Sequence, residues 1–189
     1  MRRRGRSRVW LDDHAWWLVV VEFQPSSWAK GSYLNVGAMW LWREKDHFSF
    51  DEGHRVEDFA AFKDPKQFAE AAARMAERAA TELQRYRGLF GSVGDVADFL
   101  VRKRDKGFWQ TFDAAIACAL AGLGREADGF FAEVATEDED RRDWVIEARQ
   151  SARRLRTLAQ DRTAFRDAMA EMIKRTRARL KLPEVPLSF

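Results

Sequence analysis

Cysteine is almost missing from this sequence. Cys118 is the only one, so no disulfide can form within the chain, and a reducing compartment is its natural setting. Long apolar runs are missing too: none approaches the roughly 18 residues that cross a bilayer. The stretch 15–21 is too short for the core of a signal peptide. It follows Asp12, Asp13 and His14, and Glu22 and Gln24 stand where small residues would mark a cleavage site. These absences point to a cytoplasmic globular protein.

Catalytic signatures are equally scarce. The glycines 88, 91 and 94 follow a helical pattern and lack the Lys-Ser/Thr of a phosphate loop, and Ser26-Ser27 lacks the glycines of a nucleophile elbow. His54 stands among Asp51, Glu52, Glu57 and Asp58, one imidazole in an acidic knot. Zinc sites take two or more His or Cys ligands at fixed spacing, so this knot reads as a surface loop, and no metal or cofactor is expected. Cys118 lies in an apolar helical run and reads as packing rather than as a nucleophile.

Tryptophan, by contrast, is abundant and concentrated. Of eight copies, six fall at positions 10, 16, 17, 28, 40 and 42. They flank two runs rich in aromatic and β-branched residues, 15–23 and 33–42, joined by a polar loop that holds Pro25 and Gly31. This pattern predicts two central antiparallel strands. The two-residue period puts Trp17, Val19, Val21 and Phe23 on one face and Trp16, Leu18, Val20, Glu22 and Gln24 on the other. Apolar residues on both faces mean cover on both faces. A short strand at 8–11 comes before them, and 47–50 alternates polar and apolar like a half-exposed edge strand, completing a meander of about four strands.

From Asp64 the period changes to that of a helix. Asp64 is a candidate N-cap with Pro65 behind it, and Phe68, Ala72, Met75, Ala79, Leu83 and Tyr86 form one stripe. Ser92-x-x-Asp95 opens a short second helix as a capping box. A helical hairpin turns at Gly122-Leu123-Gly124; its spacings match one tetratricopeptide-type unit, but no second copy follows. Two more helices are expected at about 141–159 and 164–180, before Pro183 and Pro186. The class is α+β, with the N-terminal antiparallel meander packed against a C-terminal set of about six helices. Residues 1–104 hold the sheet and first helices, and 105–189 hold the hairpin and last helices, as one compact unit.

Charge is unevenly spread. Arg2, Arg3, Arg4, Arg6 and Arg8 crowd the start, and residues 149–181 hold eleven Lys or Arg against Asp161, Asp167 and Glu171. Glu137, Asp138, Glu139, Asp140 and Asp143 form an acidic stretch ahead of them. Basic ends attract nucleic acid, but these do not interleave with aromatics in a nucleic-acid motif.

The run Phe23-Gln24-Pro25-Ser26-Ser27, followed by Gly31-Ser32-Tyr33-Leu34-Asn35-Val36-Gly37, resembles the core signature of a bacterial family of unknown function. Arg4-Gly5-Arg6, the stretch 115–122 and the ending around Phe165, Arg177 and 180–183 are similar to members of the same group. Members begin with a further helix ahead of the arginines. The resemblance implies a shared fold and no particular activity.

Glu22, Gln24, Ser26, Ser27, Trp28, Lys30, Ser32 and Asn35 gather where the central hairpin turns, and they are the candidate ligand- or partner-binding residues. A carboxylate, amides and hydroxyls beside indoles suit a polar ligand or a peptide, and the same side chains also suit turn backbone. No catalytic residue is assigned. The leading expectation is a non-enzymatic protein- or peptide-binding module. The alternatives are a nucleic-acid accessory protein using the basic ends and a small hydrolase working through Glu22, Gln24 and Asn35.

Overall fold

The computed structural model describes residues 1–4, 8–103, 107–136, 140 and 142–189. Gly5 and Arg6 of the basic start, 137–139 of the acidic stretch, and Arg141 lie outside the described residues. Among the described residues, five strands form one antiparallel sheet in chain order: β1 (Arg2–Arg3), β2 (Val9–Asp13), β3 (Trp17–Pro25), β4 (Gly31–Trp40) and β5 (Glu52–Ala61). Six helices follow: α1 (Pro65–Leu89), α2 (Val93–Arg102), α3 (Phe108–Ala121), α4 (Gly124–Ala135), α5 (Asp143–Leu158) and α6 (Arg162–Arg179). The class is α+β, strands first and helices after.

β3 and β4 pair from Trp17 opposite Trp40 to Pro25 opposite Ser32. Leu18, Val19, Val20 and Val21 are each at most 1% exposed, so both faces of this strand are covered. The alternation puts Trp17, Val19 and Val21 on the face that meets α1 and Phe90. There Trp17 and Trp40 meet the Phe90 ring edge-on at 5.6 and 5.0 Å. Asp12 of β2 lies on the same face and accepts two hydrogen bonds from Arg87 of α1, both 2.9 Å. Burial alone would raise the Asp12 carboxyl, but the bonds from Arg87 and His14 override it and hold the group well below the usual carboxylate range.

The other face is covered by the loop after β4 and by the C-terminal end of α6. Phe50 lies over Gly37, where an added Cβ would come within 2.8 Å of its ring and 2.5 Å of the Glu52 carbonyl oxygen. Only a residue without a side chain lets the loop come this close. Arg177, buried in α6, reaches Asp13 at 2.9 and 2.8 Å and the Ala15 carbonyl at 2.6 Å, which ties the β2–β3 turn to the helical half.

Residues 47–50 are not a strand; the last strand begins at Glu52. The chain leaves β4 and folds back because Asp51 holds the return: its N–H bonds the Ala38 carbonyl at 2.9 Å, and its carboxylate takes the Trp40 N–H at 2.8 Å. The polar stretch after it, expected to be a loop, is instead the sheet edge. Exposed charge there discourages pairing with another chain.

The helices begin and end for local reasons. The Asp64 carboxylate caps α1 by accepting from the Gln67 N–H at 2.9 Å, with Pro65 first in the helix. Ser92 and Asp95 make the capping box of α2. Gly122 ends α3 with φ +82°, a left-handed conformation natural to glycine. Thr111 to Leu120 of α3 are all buried, so this helix is the axis of the helical half, and one apolar core runs from Leu11 to Leu182 through both halves. Trp144 of α5 is 37% exposed. Among the described residues no helix is long and apolar enough to cross a membrane.

Candidate functional site

The structure separates the hairpin-end residues into two groups. Glu22, Gln24 and Asn35 lie on the face away from α1, where Asn35 donates to Glu22 at 3.1 Å and to Gln24 at 3.0 Å. The Arg55 guanidinium sits 4.0 Å over the neighbouring Tyr33 ring. This is a cross-strand polar ladder on a shallow, open surface, with both amide hydrogens of Asn35 already committed.

Ser26, Ser27, Trp28, Lys30 and Ser32 form the tip itself. Ser26 Oγ accepts from the Trp28 and Ala29 N–H groups at 3.1 and 3.3 Å, and Ser32 Oγ donates to the Gln24 carbonyl at 3.1 Å. Those hydroxyls serve the turn. The Phe62 N–H holds the Lys30 carbonyl at 2.8 Å, fixing the tip to the end of β5. On this ordered tip Trp28 is 95% exposed. Beside it runs a groove of about 740 Å³ lined by Phe23, Phe62, Phe68 and Met75. Among the described residues Arg8 and Lys30 are its only charged lining residues, and neither side chain has a partner there.

A second cavity, of about 1000 Å³, lies between the loop after β4 and helices α3, α5 and α6. Its floor is an ion network. Arg43 donates from Nε to Asp113 at 2.7 Å and from Nη2 to Asp113 at 3.0 Å and Asp51 at 2.8 Å. Lys45 Nζ contacts both Asp51 oxygens at 2.6 and 2.5 Å and Ser49 Oγ at 3.1 Å, and the Trp42 indole N–H reaches Asp113 at 2.9 Å. Burial pushes the Asp113 carboxyl up from its ordinary value, and the Arg43 guanidinium opposes it. Burial, with Arg43 alongside, pushes the Lys45 ammonium down against the pull of Asp51. Two acids and two bases neutralise one another here, which is what makes a buried set of charges tolerable.

The sequence pattern did not single out this network. Its members are spread from Trp42 to Asp113, and only Asp113, a carboxylate inside the otherwise apolar run of α3, marks a buried polar demand. The basic segment near the C-terminus is largely engaged within the molecule. Arg156 pairs with Asp128, Arg175 and Arg179 with Glu44, Lys174 with Glu171, and Arg177 with Asp13. At the start, Arg4 reaches the Leu180 carbonyl at 2.7 Å and lies over Phe48. Among the described residues no group of three or more His, Cys, Asp or Glu is placed to hold a metal ion. No protein-family model, curated protein or solved structure matches the chain, so the functional reading rests on these residues alone.

Proposed function

We propose that this chain is a non-enzymatic protein- or peptide-binding module whose contact surface is the tip of the β3–β4 hairpin and the groove beside it. The observation that carries the reading is Trp28, 95% exposed on a loop whose backbone is hydrogen-bonded in place. On a loop whose backbone is already fixed, a partner that covers the indole has only its side-chain rotamers to order, and tryptophan is a frequent anchor of protein interfaces. The groove supplies apolar walls, and the unpaired Arg8 and Lys30 favour a partner segment with an apolar side chain flanked by Asp or Glu. Glu22, Gln24 and Asn35 lie on the opposite face of the same hairpin, outside the groove, and join the surface only for a partner that wraps around the tip.

The alternatives have less support. The cations of the basic C-terminal segment are mostly paired internally, which leaves little for phosphate contacts. The amide and carboxylate expected to serve a hydrolase are bonded to each other on an open face. A cytoplasmic setting, supported by the single buried thiol of Cys118, and the grouping with the bacterial family of similar hairpin sequence belong to the same proposal.

Panning a displayed library of random peptides against the native chain and against Trp28→Ser tests the reading. Selected peptides are expected to carry an apolar anchor beside acidic residues and to bind the variant about tenfold or more weakly. Peptides that bind both proteins equally, or no enrichment over an unrelated bait, would overturn it.

A further inference from the structure

The cavity above the Arg43 network differs in kind from the hairpin groove. The charges around it cancel in contact pairs: Asp51 and Asp113 against Arg43 and Lys45, and Glu44 against Arg175. Two cationic donors are left over. Arg43 uses Nε and Nη2 on the carboxylates, while its Nη1 has no acceptor among the described residues. Arg154 of α5 lines the cavity and has no ion pair among them either. Glu147, two helical turns before Arg154 on the same lining face, is the one lining carboxylate without a partner among the described residues.

The walls are aromatic. Trp109 and Trp144 stack at 5.3 Å with their planes 26° apart, and each is 37% exposed. The Arg43 guanidinium lies 4.5 Å from the Trp109 ring centre and the Arg142 guanidinium 4.6 Å from that of Trp144, so the stacked pair offers the cavity its exposed edges beside the unused Arg43 donor. A volume of about 1000 Å³ suits a molecule of one or two rings with room to spare.

We infer that this cavity is a small-molecule site for a flat ring that carries a single anionic group such as a carboxylate. The ring packs against the exposed edges of Trp109 and Trp144, and the anion takes the free N–H groups of Arg43 and Arg154. Glu147 sets the charge limit: a polyphosphate would bring several negative charges towards an unpaired carboxylate. The site is separate from the hairpin tip and takes a different class of ligand.

Isothermal titration of the full chain with indole-3-propionate, and with tryptamine as a cation of similar ring, tests the assignment. The expected result is one equivalent of indole-3-propionate bound, with tryptamine about tenfold or more weaker. Arg154→Glu reverses the charge at the mouth and Ser151→Trp fills the space beside it. Each is expected to weaken indole-3-propionate by about tenfold while the thermal melt stays in place. Trp28→Ser is expected to leave this affinity alone, so failure here and failure at the hairpin tip are told apart. Equal affinity for the two probes, no binding of either, or full affinity in both cavity variants would overturn the inference.

Discussion

Removing Asp113 tests whether the ion network joins the two halves of the protein. Asp113 is 1% exposed and accepts three hydrogen bonds, two from Arg43 and one from the Trp42 indole. In Asp113→Ala two cations, Arg43 and Lys45, share the single carboxylate of Asp51, at side-chain exposures of only 13, 9 and 7%. Breaking a buried pair by deleting one partner costs about 3–5 kcal/mol. The stranded indole N–H adds about 1 kcal/mol. A loss of about 4–6 kcal/mol is a large part of the stability of a typical domain. For a chain of this size it lowers Tm by roughly 10–20 °C. Urea unfolding followed by tryptophan fluorescence and far-ultraviolet dichroism measures it. Arg43→Met combined with Asp113→Leu removes both partners and keeps the volume. The double variant is expected to be at least about 2 kcal/mol more stable than the sum of the single losses. A loss below about 1 kcal/mol in Asp113→Ala, or strict additivity of the pair, would refute the reasoning.

Asp12→Asn is expected to cost about 2 kcal/mol at neutral pH by weakening the two bonds to Arg87. The folded carboxyl is held below its ordinary value, so its contribution is complete above about pH 4 and is lost as pH falls further. The stability gap between wild type and variant therefore narrows in urea titrations at about pH 3 compared with neutral pH. Gly37→Val drives a side chain into the Phe50 ring and the Glu52 carbonyl and is expected to cost about 2–3 kcal/mol, read as an earlier urea midpoint. Trp28→Ser touches an indole in solvent, and its thermal melt is expected to match wild type within about 0.5 kcal/mol. A larger loss would show the indole packing on the body of the protein rather than waiting for a partner.

How far the sequence carried the fold depended on whether the signal was local. The runs around residues 15–23 and 33–42 are apolar at consecutive positions and are interrupted by Pro25 and Gly31, and the structure pairs them from Trp17 opposite Trp40 to Pro25 opposite Ser32. Asp64-Pro65, Ser92 with Asp95, and Gly122 each meet a backbone need within a few residues, and each stands at a helix end. Residues 47–50 carry a valid two-residue alternation that misleads, because the alternation reports one covered face and not a ladder. Phe48 and Phe50 cover the sheet from outside.

Composition and period by themselves determined that strands come first and helices after, the double burial of β3 and the candidate status of the hairpin tip, since these follow from hydrophobic spacing and turn chemistry over short stretches. Only the tertiary structure decided that the hairpin residues divide between two faces and that Trp109 and Trp144 stack at a cavity mouth. It also decided that Arg43, Lys45, Asp51 and Asp113 neutralise one another. The physical reason is distance along the chain. Arg43 and Asp113 are 70 residues apart, and no periodicity links a cation after a strand to a carboxylate inside a helix until packing excludes water from both.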